Sequence, residues 1–206
     1  MNLKHNNSYI KAKEEIVRIK KNNSSIPSGQ KITSAFPVLD LGIKPNIPKD
    51  KWNIHIFGLV KNEKNISFNE LINFPKTEIT ADFNCVTGWT KENIKWSGVS
   101  FKYIVDLVGI YPEAKFVIQS GYDGYTTNLP LESMYRDDVI VAYKLYEKDI
   151  PSERGALVRV IVPSRYGWKG SKFLNGIFFS NVDIPGFWET RGYHNNGDWK
   201  KEERYG

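Results

Sequence analysis

From Trp52 to Val60 the chain alternates, with Trp52, Ile54 and Ile56 on one side and Asn53 and His55 on the other. That period of two predicts a half-buried strand. Ser67, followed three residues later by Glu70, reads as a capping box for a short helix that stops before Pro75. Thr77, Ile79 and Thr80 belong to a strand over 77–84 that delivers Cys85, with Gly88 and Trp89 following as a tight loop. Ser100 opens a second short helix, with Phe101, Ile104, Val105 and Val108 on one face. Beyond residue 114 strand and turn patterns dominate. Phe116 to Ile118 is a strand, Asp123-Gly124 a turn, and Val139 to Tyr143 another strand. Leu157 to Val162 is an apolar run broken only by Arg159, and Gly176 to Phe179 begins the last strand. Upstream, residues 8–21 read as a short basic helix. Residues 22–50 read as a linker punctuated by Pro27, Gly29, Pro37, Gly42, Pro45 and Pro48. The pattern predicts an α+β class with mixed or antiparallel sheet and short helices.

With 40% hydrophobic and 14% aromatic residues, the 206-residue chain can build a packed core. No stretch approaches the ~20 apolar residues of a membrane span. The first 30 residues are polar, without an apolar h-region or twin arginine, so a cytoplasmic location is expected. The net charge of +6 is unevenly spread. Residues 1–21 carry +4 and residues 154–172 carry +5 with no acid, which leaves the rest at −3. The first excess suits a solvated helix face. The second is embedded among apolar residues and glycines, which fits a bound anion better.

Cys85 is the only cysteine. It excludes an internal disulfide and a multi-cysteine metal site. Inert packing, nucleophilic chemistry, or one thiolate ligand to a metal held mainly by something else remain. A strand end beside a loop suits a pocket wall. No histidine is placed to activate Cys85 as a nucleophile. His5 lies in the polar N-terminal segment, His55 on the polar side of a strand, and His194 reads as a hydrogen-bonded structural residue. No histidine pair or carboxylate cluster has metal-site spacing.

The basic block from Arg154 to Lys172 admits two readings. A buried guanidinium at Arg159 needs an anionic partner. In one reading that partner is a phosphate or pyrophosphate, gripped by Arg forks and Lys charges, with Gly167 and Gly170 freeing the backbone and Ser171 adding a hydroxyl. In the other, Arg159 meets a core carboxylate while Lys169 and Lys172 are solvated. Neither a Walker nor a Rossmann glycine pattern is present. The aromatic tail Gly186-Phe187-Trp188-Glu189-Thr190-Arg191-Gly192-Tyr193-His194 is expected to fold back over the domain as a packing lid.

Several segments, taken in order, resemble the sulfite oxidase-like molybdopterin oxidoreductases. They are Asp82-Phe83-Asn84-Cys85-Val86-Thr87-Gly88-Trp89, Trp96-Ser97-Gly98-Val99 and Gly121 to Pro130. The Arg159 to Lys172 block, Gly186-Phe187-Trp188-Glu189 and Gly192-Tyr193-His194 continue the match. Gly29-Gln30 and Phe36-Pro37-Val38-Leu39 resemble the start of short members. Any one motif is weak; the ordered set is specific.

The resemblance implies a sulfite oxidase-type molybdopterin-binding fold, with mixed β-sheets and short helices, as one domain over 28–206 behind a basic segment 1–27. It implies molybdenum and molybdopterin as cofactor, with Cys85 as the single protein ligand to the metal and the catalytic residue. The activity it implies is two-electron oxygen-atom transfer at a Mo-oxo centre, as sulfite-type oxidation or sulfoxide-type reduction of a small molecule. Arg159, Gly170, Ser171 and Lys172 match positions that hold the pterin and its phosphate, Arg154 matches one facing the pterin, and Lys169 joins this set. Phe83 and Asn84 flank the metal ligand, and Ser120, Tyr125 and Thr126 fall near the metal. The loops of Asn84, Tyr125 and Tyr166 are expected to shape substrate access. Departures include Asn84 where relatives often have His, Phe173 where Trp is frequent, Ala156-Leu157 in place of a small-residue-Pro step, and Trp199 in place of Pro. With no appended haem domain, electrons need an external carrier. No nucleic-acid partner is expected on this reading. The alternative is a basic β-rich nucleic-acid-binding domain using Tyr166 and Trp168 as stacking platforms.

Overall fold

The computed structural model describes Ile26 and residues 28–206, so the basic helix expected over 8–21 lies outside the described residues. In chain order the regular elements are β1 (Lys31–Ile32), β2 (Asn53–Gly58), β3 (Lys64–Ser67), α1 (Phe68–Asn73), β4 (Lys76–Cys85), β5 (Trp89–Ser100) and α2 (Phe101–Val108). Then follow β6 (Phe116–Gly121), β7 (Thr126–Pro130), α3 (Leu131–Met134), β8 (Ile140–Leu145), β9 (Lys148–Asp149), β10 (Arg159–Ile161) and β11 (Leu174–Ser180), with single 3-10 turns between and after the last strands. The class is α+β, as expected.

Two mixed sheets result. In the first, β5 pairs antiparallel with β4 and β8 and parallel with β1, while β8 also carries β10 and β9. The second runs β3-β2-β11-β6-β7, with β2 and β11 parallel and the other pairs antiparallel. The main core lies between the sheets and the helices. Val99, Val141 and Val160 of the first sheet meet Ile56, Val117 and Ile177 of the second, with Phe101, Ile104 and Val108 of α2. A smaller core covers the other face of the first sheet, where Ile94, Trp96, Ile140, Ala142 and Ile161 pack with Phe83 and Phe36. Strand alternation therefore gives β10 its two sides: Val160 faces the main core, and Arg159 shares the side of Ile161.

The predicted helices form where their signals lie. Ser67 Oγ accepts from Glu70 N–H and Glu70 Oε2 accepts from Ser67 N–H, closing the capping box of α1. Two strands differ from expectation. Trp89 opens the twelve-residue β5 rather than continuing a loop, and the turn is Val86–Gly88. Lys91, Glu92 and Lys95 hide that strand in the sequence. Asn93 at φ 55 and a register shift after Ser97 also break its alternation. β7 was hidden because two of its three buried residues, Thr127 and Asn128, are polar. The stretch read as a linker contributes β1 and a strap over residues 36–41. Among the described residues, no helix is long and apolar enough to cross a membrane.

Candidate active site

The hairpin of β4 and β5 carries Cys85 to the end of its strand, paired with Trp89 across the turn. Strand alternation puts Phe83 and Cys85 toward a cavity of about 300 Å³. Asn84 is not part of that wall. It is buried, and its Oδ1 accepts from Thr90 Oγ1 at 2.7 Å. Cys85 is only 7% exposed, with its Sγ 3.1 Å from Thr87 Oγ1. Its wall is shared by Trp89, the 36–41 strap, Asp123 and Tyr125 from the turn after β6, and Trp188 and Tyr193 from the tail. The tail thus folds back as expected, and it also encloses the cavity. Among the described residues, no histidine lines it.

Arg154, Arg159 and Lys172 converge on the same space. Arg159 is 2% exposed. Its Nη1 donates to the Arg154 carbonyl at 2.9 Å, and its Nε has no acceptor among the described residues. The guanidinium lies 5.5 Å and 5.4 Å from the ring centroids of Phe83 and Trp96. Burial, then the neighbouring charge of Arg154, lowers its pKa to about 10. Of the two readings, the one with a core carboxylate fails: among the described residues none pairs with Arg159. Lys172 Nζ donates to the Leu39 and Glu153 carbonyls at 2.6 and 3.3 Å. Burial, then Arg159, lowers its pKa to about 8. Arg154 lies 3.9 Å above the Phe36 ring and donates to the Phe36 and Pro37 carbonyls. Neutral carbonyls satisfy donors without cancelling charge. Three cations with depressed pKa values on one cavity have the chemistry to meet an anion.

Other expected residues lie behind this wall. Lys169 is neither solvated nor on the cavity: its Nζ bonds Glu189 Oε1, Asn128 Oδ1 and the Asn195 carbonyl. Ser171 is fully buried, its N–H donating to Gln119 Oε1 and its hydroxyl to the Lys172 carbonyl. Ser120 Oγ donates to Asn175 Oδ1, and the Thr126 carbonyl accepts from Phe187 N–H. Tyr125 lines the cavity, but its hydroxyl donates to the Trp168 carbonyl at 2.5 Å. Burial, then Glu189, holds its pKa well above the ordinary value, so it stays neutral. Gly167 and Gly170 do line the wall. A Cβ at Gly167 would lie 2.1 Å from the Phe83 ring and one at Gly170 2.3 Å from the Val160 carbonyl, so close packing within the protein already requires both glycines. Tyr166 is fully buried and stacked on Trp168 at 5.3 Å, which removes it as a platform for nucleic-acid bases.

Residues 41–188 match the family model described as the oxidoreductase molybdopterin binding domain. The chain belongs to that family. It is 37% identical over 181 residues to the uncharacterized oxidoreductase YuiH of Bacillus subtilis, covering 87% of this chain and 91% of that protein. It is 27% identical over 143 residues to a putative protein-methionine-sulfoxide reductase subunit, YedZ1, of Azospira oryzae, covering 69% of this chain and 54% of that one. It is 23% identical over 167 residues to the protein-methionine-sulfoxide reductase catalytic subunit MsrP of Campylobacter jejuni, covering 73% and 56%. The chain thus spans about half the length of those two reductases. Among solved structures, the sulfane dehydrogenase SoxCD of Paracoccus pantotrophus shares the fold, with a TM-score of 0.62 at 22% identity over 68% of this chain and 40% of that one.

The protein is accordingly a molybdopterin-dependent oxidoreductase, with molybdenum and molybdopterin as cofactor. Its cavity fits that group. Cys85 brings a soft sulfur atom to its wall, and Arg154, Arg159 and Lys172 bring cationic donors that would suit an anionic pterin side chain, with an Arg159 Nε that has no acceptor among the described residues.

Proposed function

We propose that this enzyme reduces a small sulfoxide by two-electron oxygen-atom transfer, with Cys85 as the single protein ligand to molybdenum. When bound, the molybdenum–pterin group supplies the two-electron redox change and the site of oxygen exchange. The observation that carries this reading is the presence of Cys85 and the unsatisfied Arg159 on one cavity. Arg159, Arg154 and Lys172 would hold the anionic end of the pterin. Phe83, with Gly167 against its ring edge and the Arg159 guanidinium 5.5 Å from its ring centroid, would keep that cation dry and in place. Trp89, Trp188 and Tyr193 would form an apolar mouth that admits a neutral sulfur compound better than a charged oxyanion. The sulfoxide reductases among the relatives favour this direction over sulfite-type oxidation. Residues 28–206 would act as one catalytic domain in the cytoplasm, with electrons delivered by a separate protein.

Cys85→Ser tests the centre of this reading. The near-isosteric change leaves the anion site intact, so the variant is expected to fold and to retain pterin. The thiolate-to-metal absorption should vanish and sulfoxide turnover should fall to background. A variant with wild-type spectrum and turnover would show that Cys85 is only packed.

A further inference from the structure

The turn that carries Cys85 is held from outside by both ends of the described chain. Its carbonyls are taken in sequence. Cys85 O accepts from Gln30 Nε2 at 2.9 Å as well as from Gly88 N–H within the turn. Val86 O accepts from Arg204 Nη1 at 2.5 Å. Gly88 O accepts from Lys31 N–H at 3.0 Å. Arg204 Nη2 reaches back to the Ser28 carbonyl at 3.2 Å, so one guanidinium bridges the N-terminal stretch and the cysteine turn. Its carbon lies 5.2 Å from the ring centroid of Tyr166, a buried residue. The segment bearing Arg204 is anchored in turn, by His194 N–H on the Arg204 carbonyl, a bridge between Tyr193 and Tyr205, and Gly206 N–H on the Gly192 carbonyl. Tyr193 lines the cavity, so the same tail that walls the site also grips the turn. Gln30, Lys31 and Arg204 all lie outside the stretch matched by the family model.

We propose that Arg204 is a positioning residue for Cys85: its bidentate reach from Val86 to Ser28 fixes the turn so that the thiol is presented to the cavity. This rests on the reading of Cys85 as the metal ligand. A flat, forked guanidinium offers a separate nitrogen to each of two carbonyls, whereas an ammonium must reach both from one nitrogen on a flexible stem. Within its four residues the turn has one backbone hydrogen bond, from Gly88 to Cys85, and the Cys85–Thr87 side-chain contact, which leaves a short loop free to open.

Because Cys85 is the only thiol, iodoacetamide labelling of the full cofactor-free chain reads the turn directly, without regard to whether molybdenum binds. Loss of two charge-assisted contacts in Arg204→Ala is expected to raise the labelling rate about tenfold or more. Arg204→Lys, which keeps the charge but loses the planar fork, is expected to fall between, at about threefold. Val117→Ala, in the core of the second sheet, serves as the control for general loosening. It is expected to lower Tm at least as far as Arg204→Ala does, while labelling within about twofold of wild type. Wild-type labelling in Arg204→Ala overturns the proposal, as does an equal rise in Val117→Ala. If Arg204→Ala does not fold, Arg204→Lys carries the test, with a wild-type rate as the overturning result. In the loaded enzyme the same variants should shift the thiolate-to-metal absorption, with Arg204→Lys closer to wild type. Labelling that rises while that absorption never existed in wild type would instead count against Cys85 as the ligand.

Discussion

Two buried cations, ten residues apart in the same acid-free block, are solved by the fold in opposite ways. Lys169 is fully buried and closed. Its Nζ has three acceptors, Glu189 at 2.5 Å, the Asn195 carbonyl at 2.7 Å and Asn128 at 3.1 Å. Arg159 is nearly as buried but open. One carbonyl and two aromatic faces meet it, its Nε has no acceptor among the described residues, and its nearest charges are cationic. Burial depresses both pKa values, to about 8 and about 10 respectively. The difference lies in what opposes burial: Glu189 supports the charge on Lys169, while Arg154 works against the charge on Arg159. A buried charge with its counterion inside the protein is structural. A buried charge facing a cavity without one is prepared for something that binds.

The largest effect expected from this contrast is on stability. Lys169→Met strands the Glu189 carboxylate, which is 1% exposed and retains only Thr127 as a donor. Urea denaturation of the cofactor-free protein should show a loss of about 3–5 kcal/mol, and adding Glu189→Gln should recover part of it. A loss below about 1 kcal/mol would mean that the network is not a closed ion pair. Arg159→Met should behave in the reverse sense. Without cofactor it removes an uncompensated charge, so stability should stay within about 1 kcal/mol of wild type or rise. With cofactor it removes charge-assisted contacts worth about 1.5–3 kcal/mol, read as faster loss of pterin on gel filtration. If Arg159→Met destabilises the cofactor-free chain as Lys169→Met does, the two sites are not different in kind.

That contrast was only half legible in the sequence. Arg159 could be singled out because it breaks an apolar run whose alternation fixes its side of β10. Lys169 and Lys172 looked alike, since what separates them is Glu189, Asn128 and Asn195, brought in by the tail and by β7. β7 itself was hidden because two of its three buried residues, Thr127 and Asn128, are polar, satisfied by partners more than forty residues away. Local signals survived best. The Ser67 and Glu70 box and the strand leading to Cys85 depend on neighbours a few residues apart. The 36–41 strap could not be foreseen for the opposite reason. Pro37 and the prolines and glycines on either side of the strap read as a linker, and its role comes from backbone carbonyls, which every residue has. Gln30 entered only through the Gly29-Gln30 resemblance and Arg204 not at all, because single polar residues in irregular ends acquire a role only when the fold sets them against the Cys85 turn.

Lys172 offers the smallest test, and one with a defined sign. Its pKa falls from 10.5 to about 8 because burial, and then Arg159, disfavour its charged form; Asp40 and Asp123 oppose this only partly. The folded, cofactor-free chain therefore binds this proton less readily than the unfolded chain. Below pH 8 both states are protonated and the full cost is present. Between about 8 and 10.5 the unfolded state holds more protons, so stability should rise with pH across that window. Since Lys172 is half-buried, the gain after screening is on the order of 1–2 kcal/mol. Lys169 titrates in the same window, so the comparison must be made against Lys172→Met, whose slope should be shallower by the Lys172 share. An anion bound in the cavity inverts the preference by favouring the ammonium. Cofactor retention should accordingly be strongest below pH 8 and weaken above it, and Lys172→Met should lose that dependence. If wild type and Lys172→Met release pterin with the same pH profile, Lys172 is held by the strap carbonyls alone and does not reach the bound group.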